Sequence, residues 1–243
     1  MTTGDHRDAG RARARAAERV AMLPVALATV LTVATGAMDA ISFLRLGEVF
    51  TSIMTGNLVQ LGLSVGRHDG QLAARAAFAV VAFVAGVVAS STIVGPAHPE
   101  QPGWPARVNI ALTCELGALV GFLVGWAATD GRPEGLARTL LIAVAALAMG
   151  VQSGAVRAIN APRLSTTYLT GTLIGALATL ITAGRVEWHS VTLLAAVVVG
   201  ALVGGLLVVN ATVVAPVLPV GLLVAVLLTA TITGHVRGRR RHG

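Results

Sequence analysis

The sequence predicts an all-α, polytopic membrane protein built from two repeats of about four membrane-embedded helical elements, and three observations carry that prediction. Hydrophobic residues fill 55% of the 243 positions and charged residues 12%, whereas soluble domains carry about 25% charged residues. The mean hydropathy is +0.78, and the apolar residues fall in long runs divided by short polar breaks, the signature of membrane helices. A pattern at 36–62, GAMDAISFLRLGEVFTSIMTGNLVQLG, returns in altered form at 150–176, GVQSGAVRAINAPRLSTTYLTGTLIGA. Gly36 aligns with Gly150 and Asp39 with Ser153 at an offset of 114, and Thr55-Gly56-Asn57 with Thr170-Gly171-Thr172 at 115. A period near half the chain reads as a duplicated unit, because solenoid repeats are far shorter.

The expected organisation is an Arg-rich arm at 1–19, a first membrane repeat at 20–128, a connecting loop at 129–135, a second repeat at 136–234 and a basic tail at 235–243. The arm, rich in Arg, Ala and Asp without an apolar anchor, reads as disordered or surface-lying. Its apolar continuation from Val20 to Leu44 exceeds the roughly 7–15 residues of a signal-peptide core, so segment one (20–44) is expected to span. Segment two (49–65) carries Thr51, Ser52, Thr55, Gly56, Asn57 and Gln60, and its 17 residues reach only about 25 Å as a helix, too short for a comfortable crossing. A short or broken helix is expected there. Gly66 to Gly70 breaks the chain, segment three (73–95) is apolar after Arg75, and four prolines between Gly95 and Pro105 define a loop.

Segment four (108–128) is flanked by Trp104 and Trp126, about 33 Å apart along a helix, which matches the two interfacial belts. Glu115 lies eleven residues from each and therefore near the bilayer midplane. Gly117, Gly121 and Gly125 form a small-residue stripe for close packing, and Glu115 projects from the opposite side. Segments five (136–156), six (164–183), seven (190–211, with Gly200 and Gly204) and eight (215–234) repeat the order of the first four, with six again short.

All 18 basic residues are arginine, concentrated in the two tails, which places both termini in the cytoplasm by the positive-inside bias. Eight crossings would put 14 arginines inside and four outside. Six crossings, with segments two and six re-entrant, would put 13 inside and five outside. The bias does not separate these topologies. Three crossings per repeat would make the halves inverted, as in many secondary transporters. The pI near 11.5 does not indicate nucleic acid, since no base-stacking aromatics interleave with the basic tails. Cys114 is the single cysteine, and no histidine pair has ligand spacing on a helix face, so no disulfide, metal or cofactor is expected.

The polar centre of each half is the candidate site. Asp39 lies six residues from Arg45, about 9 Å below the interface, with Asn57 at similar depth on the return. A carboxylate in the hydrocarbon costs roughly 2.5–3.5 kcal/mol, so it needs hydroxyl or amide partners (Thr51, Thr55 or Asn57), a proton or a cation. The Thr55-Gly56-Asn57 run suits a helix break whose carbonyls coordinate a ligand. The second half offers Gln152, Ser153, Thr170, Gly171 and Thr172, without a charge. The alternative is structural, since Thr and Ser in membrane helices often bond their own backbone and glycines often serve packing. Arg45 and Glu48 are expected to pair at the interface.

Gly36 to Leu44, Val49-Phe50 and Met54 to Leu58, followed by Gly150 to Arg157 and Thr166 to Thr172, resemble the YoaK-like family of bacterial integral membrane proteins (domain of unknown function 1275). The resemblance covers about residues 20–235. It implies a multi-pass protein of the bacterial inner membrane with about six helices, and it carries over no activity. From the residues, the leading expectation is a transporter or permease of a small solute or a proton or other cation, with its site between the repeats. Asp39 would be the ion site, Asn57, Thr55, Gln152 and Thr170 polar contacts, and Glu115 a second proton carrier. A non-transporting membrane scaffold or regulatory protein is the alternative. An enzyme is not expected, because no Ser/His, His/Glu or paired-carboxylate arrangement stands within one segment. The lipid bilayer is the one expected partner, and self-association stays open.

Overall fold

The computed structural model describes residues 3–95, 104–159 and 169–239, with side chains described from Met22 to Gly234. The described residues are helical, without strands. In chain order the helices are α1 (Thr3–Arg45), α2 (Met54–Arg67), α3 (Gly70–Val94), α4 (Ala106–Ala128), α5 (Gly135–Arg157), α6 (Leu169–Ala183), α7 (Trp188–Asn210) and α8 (Val217–Arg239), with a 3-10 turn at Thr212–Val214 before α8. Six stretches are long and apolar enough to cross a bilayer: Met22–Arg45 of α1, α3, α4, α5, α7 and Thr212–Gly234, which joins the 3-10 turn to most of α8. The 14 residues of α2 and 15 of α6 span only about 21–23 Å. The backbone of the basic arm is helical from Thr3 onward, which departs from the disordered form of the disordered or surface-lying arm expected, because its Ala, Arg and Glu are strong helix formers. Residues 96–103 of the Pro-rich loop and 160–168 at the start of segment six lie outside the described residues.

Helix directions follow from the closest contacts. At Gly36 an added Cβ would lie 2.3 Å from the Val197 carbonyl, and at Gly200 one would lie 2.1 Å from the Val33 carbonyl, so α1 and α7 touch backbone to backbone. The pairs Val33–Gly200, Ala37–Gly204 and Arg45–Val208 advance together along both helices, which makes them parallel. The α3–α5 crossing repeats this geometry: Gly86 meets the Leu147 carbonyl at 2.2 Å and Gly150 the Phe83 carbonyl at 2.2 Å. Every one of these positions lies 114 residues from its counterpart, Gly36 with Gly150, Gly86 with Gly200, Val33 with Leu147 and Phe83 with Val197. Gly125 against Leu141 sets α4 antiparallel to α5. The helices α1, α5, α4 and α8 close a four-membered ring of packed neighbours, with α7 outside α1, α3 outside α5, α2 against α3 and α6 against α7.

Two contacts decide the path of α2. Gly47 (φ 98°), just past α1, lies against the Arg75 guanidinium in the second turn of α3, where a Cβ would come within 2.1 Å of an Nη atom. The end of α1 and the start of α3 therefore occupy the same end of the bundle. The chain dips inward over 46–53 and returns through α2 without crossing. Trp126 and Arg45 mark that same end, since the Trp126 indole N–H donates to the Thr212 carbonyl (2.9 Å) and Arg45 Nη2 donates to the Val208 carbonyl and Thr212 Oγ1 (3.3 Å each). The six candidate spans then fall three in each half. Cysteines introduced at His68 and Asp130 in a Cys114→Ser background are expected to react with a membrane-impermeant thiol reagent from one side, and a cysteine at Arg185 from the other. Labelling of positions 68 and 130 from opposite faces would refute this path.

Three sequence expectations are corrected here. Gly117 and Gly121 have no protein atom within 4 Å of an added Cβ, so that stripe faces outward, and only Gly125 packs. Trp126 is fully buried and stacked on Phe122 with centroids 5.7 Å apart, holding the α7–α8 turn where an interfacial anchor was expected. Arg45 reaches α7 and not Glu48, which has no ion pair among the described residues, because the carbonyls at a helix C-terminus are open acceptors for a cation.

Candidate functional site

Inside a bilayer, non-helical backbone must find its hydrogen bonds within the protein. Residues 48–52 find theirs in four side chains from the flanking helices. Gln60 Nε2 donates to the Glu48 carbonyl. Ser42 Oγ donates to the Val49 carbonyl (2.8 Å). Asn57 holds Phe50 by both its groups, accepting from the N–H (2.8 Å) and donating to the carbonyl (2.6 Å), as a paired strand would. Asp39 takes the last two residues: Oδ1 accepts from Thr51 N–H (2.7 Å), Thr51 Oγ1 (2.9 Å) and Ser52 N–H (2.9 Å), and Oδ2 accepts from Ser52 Oγ. The polar spacing of the first motif thus replaces the helical ladder that the re-entrant turn gives up.

Asp39 is buried, 5% exposed, with its lone pairs engaged by the loop. Its partners are Thr51 and Ser52; Thr55 and Asn57, also expected as candidates, do not reach it. Thr55 is exposed on α2. Gly56 makes room for the Phe50 ring, which an added Cβ would meet at 3.1 Å. Phe50 in turn stacks on Phe43 with centroids 5.0 Å apart, which ties the loop back to α1.

The second motif is arranged differently. Gln152 is buried on α5 and its Nε2 donates to Thr35 Oγ1 (2.7 Å) and the Leu31 carbonyl (3.4 Å), linking α5 to α1 across the middle of the bundle. Ser153 donates to its own helix, at the Met149 carbonyl (2.7 Å). Thr170, Gly171 and Thr172 lie on the first turn of α6, which buries no side chain and packs on α7. Because α5 ends and α7 begins at the Arg157 end, α6 sits at the end opposite to the Asp39 loop. The structure therefore does not join Asp39 to Thr170, and the two Thr-Gly motifs form two separate places.

Glu115 breaks the rule that buried polar groups are bonded more completely than any other described residue, since Gln60, Ser90 and Gln152 each leave a single oxygen without a partner. Glu115 is 1% exposed, and among the described residues neither carboxyl oxygen has a hydrogen-bond partner. It belongs to the buried stripe Val108, Leu112, Glu115, Leu119, Phe122, Trp126 of α4, turned to the ring of α1, α5 and α8. The Gly125–Leu141 contact sets the antiparallel register, which puts Glu115 level with 151–152 of α5. Gln152 lies three helical turns from Leu141 and so on the same α5 face. Its Oε1 is also buried without a partner. The central ring thus holds, at one depth, a carboxyl and an amide oxygen with no donor, and Thr35 bonded to the amide nitrogen. Thr35, Ser42 and Gln60 went unread as site residues in the sequence, although Thr35 and Asp39 share a face of α1 at one-turn spacing. Among the described residues, no three His, Cys, Asp or Glu side chains gather as a metal site.

Residues 27–229 match the model of a family described as protein of unknown function (DUF1275). Among curated proteins, the UPF0700 transmembrane protein YoaK of Bacillus subtilis (strain 168) is 34% identical over 147 residues. The match covers 60% of this chain and 63% of that protein's length, less than two thirds of the relative. No solved structure matches the chain.

Proposed function

The chain belongs to the DUF1275 family of transmembrane proteins, and from that premise we propose that it is a non-enzymatic permease for a small solute or ion, built from two inverted repeats around the central four-helix ring. The observation that carries this reading is Glu115: an ionisable group deep in a bilayer bundle without a partner is expensive to keep and marks a pathway for ions or protons. Supporting it are the 114-residue correspondence of the glycine crossings, three crossings per half, and re-entrant elements at opposite ends, the arrangement of many secondary transporters. In this reading Glu115 carries a proton or cation, and Gln152 and Thr35 complete its surroundings. Asp39 and Asn57 hold the mouth at one end, with Thr55 and Gly56 lining it. Ser153, Thr170, Gly171 and Thr172 flank the other. Among the described residues the Arg157 end carries ten arginine positions and the other end five, so we assign the Arg157 end, with both termini, to the cytoplasmic side of a bacterial inner membrane.

The test is solute and proton flux into liposomes holding the purified protein, across a broad solute panel. Glu115→Gln is expected to lower flux at least about tenfold while the melting temperature stays within a few degrees, since the amide keeps the shape and removes the titrating group. Equal flux in the variant, or no flux for any solute under any gradient, would rule the reading out. One observation favours a second reading, a non-transporting scaffold: Asp39, Asn57, Ser42 and Gln60 all spend their bonds on the loop. Under that reading substitutions would alter stability and partner capture only.

A further inference from the structure

We infer that the groove between the first turns of α3 and α5 binds a phosphate-bearing anion. The groove has a volume of about 260 Å³ and is lined by Gln71, Ala74, Arg75, Gly135, Arg138 and Thr139. Its origin lies in the packing. The two helices run parallel and touch backbone to backbone at Gly86 and Gly150, sixteen and fifteen residues below their starts. Helices in such glycine contacts cross at an angle, so they have diverged by the time they reach their first turns, which lie at one level.

Each wall presents a half-buried arginine. Arg75 Nε donates to the Gln71 carbonyl (3.1 Å) and Arg138 Nε to the Pro133 carbonyl (3.0 Å). Those bonds fix the stems of the two guanidinium groups and leave the Nη atoms for another acceptor. Gly47 supports the first of them, since any side chain there would strike Arg75 Nη1. Among the described residues neither arginine is paired with a carboxylate. The nearest acid in sequence to Arg75, Asp69, accepts from the Gln71 and Leu72 amides as the cap of α3, and Glu134 is exposed ahead of α5.

Two permanent cations facing one groove repel each other, and an anion between them converts that repulsion into two attractions. The guanidinium fork matches phosphate oxygens in pairs, which a halide or a single carboxylate cannot fully use. The volume is below the roughly 300–1,000 Å³ of sites for drug-sized ligands, which suits a phosphate with a small alcohol. The groove opens where two spans end, at headgroup depth, so the phosphate belongs either to a phospholipid such as phosphatidylglycerol or to a soluble phosphate ester. This site stands apart from the central ring and does not depend on transport.

The experiment uses the full chain in two formats. In phosphatidylcholine nanodiscs doped with phosphatidylglycerol, native mass spectrometry reads the retained lipid. In detergent, thermal melting reads protection by glycerol 3-phosphate and by inorganic phosphate. Wild-type protein is expected to retain phosphatidylglycerol over phosphatidylcholine, and R75Q/R138Q to lose that preference by about tenfold or more, with R75K/R138K between them. Protection by the soluble phosphates, lost in R75Q/R138Q, assigns a soluble anion; lipid retention alone assigns the headgroup. Should the double glutamine variant fail to fold, R138Q and the lysine pair carry the same comparison. The proposal falls if wild type shows neither the lipid preference nor phosphate protection, or if the variants that lack the guanidinium groups bind as wild type does.

Discussion

Leucine at Gly150 is expected to abolish stable assembly of the bundle, a loss of at least about 3 kcal/mol, because the side chain has nowhere to go. Its Cβ would lie 2.2 Å from the Phe83 carbonyl oxygen and 3.0 Å from the carbonyl carbon. Those atoms belong to the α3 backbone, so no rotamer change can yield and the helices must separate. Separation then uncovers Gly86, whose own contact with the Leu147 carbonyl depends on the same approach. Leucine at Gly36 should act alike through Val197. The internal control is Gly117→Ala or Gly121→Ala, where an added Cβ meets nothing within 4 Å, and where the effect should stay within about 0.5 kcal/mol. Thermal unfolding of the purified variants measures both, and a Gly150→Leu protein that melts with wild type would overturn the parallel crossing.

The second large effect is expected at Asp39. Leucine there removes the acceptor of two buried backbone amides, Thr51 and Ser52, and of two hydroxyls. Each orphaned buried amide costs about 1–3 kcal/mol, so a total of roughly 2–6 kcal/mol follows, along with proteolytic opening of residues 46–53. Asn keeps an oxygen for the amides and should cost about 1 kcal/mol. The contrast between Leu and Asn is what marks Asp39 as a brace of backbone. If the two variants melted together, the loop would be held by something else.

Much of the fold was legible because a bilayer imposes few solutions. Runs of about 20 apolar residues gave the long helices. What could not be read was which face of a helix meets protein. In lipid both faces of α4 are apolar, so Gly117 and Gly121 look as ready to pack as Gly200 and Gly204, and only the second pair does. The path of α2 was equally hidden, since its length fits either a short crossing or a return, and the contact of Gly47 with Arg75 that decides it joins residues with no shared pattern. At the candidate site, burial of Glu115 followed from the cost of an ionisable group midway along an apolar span, although Trp126, read as one of two depth markers, is itself buried. Gln152, at the same level on α5, belongs with Glu115 and not with the Asp39 centre, because aligning two motifs does not say where the chain brings them.

The glycine crossings also bear on how the protein is made. Helix α1 is locked to α7, and α3 to α5, so each half lends its partner surface to the other. Gly36 leaves the ribosome 164 residues before Gly200, and through that interval its bare backbone face lies against lipid or an insertion factor. A nascent chain ending after Ala128 would hold α1 to α4 with their α2–α3 and α3–α4 contacts but neither of the glycine crossings. Maturation is thus posted to the end of translation, when α7 slides in beside the first helix to have entered the membrane.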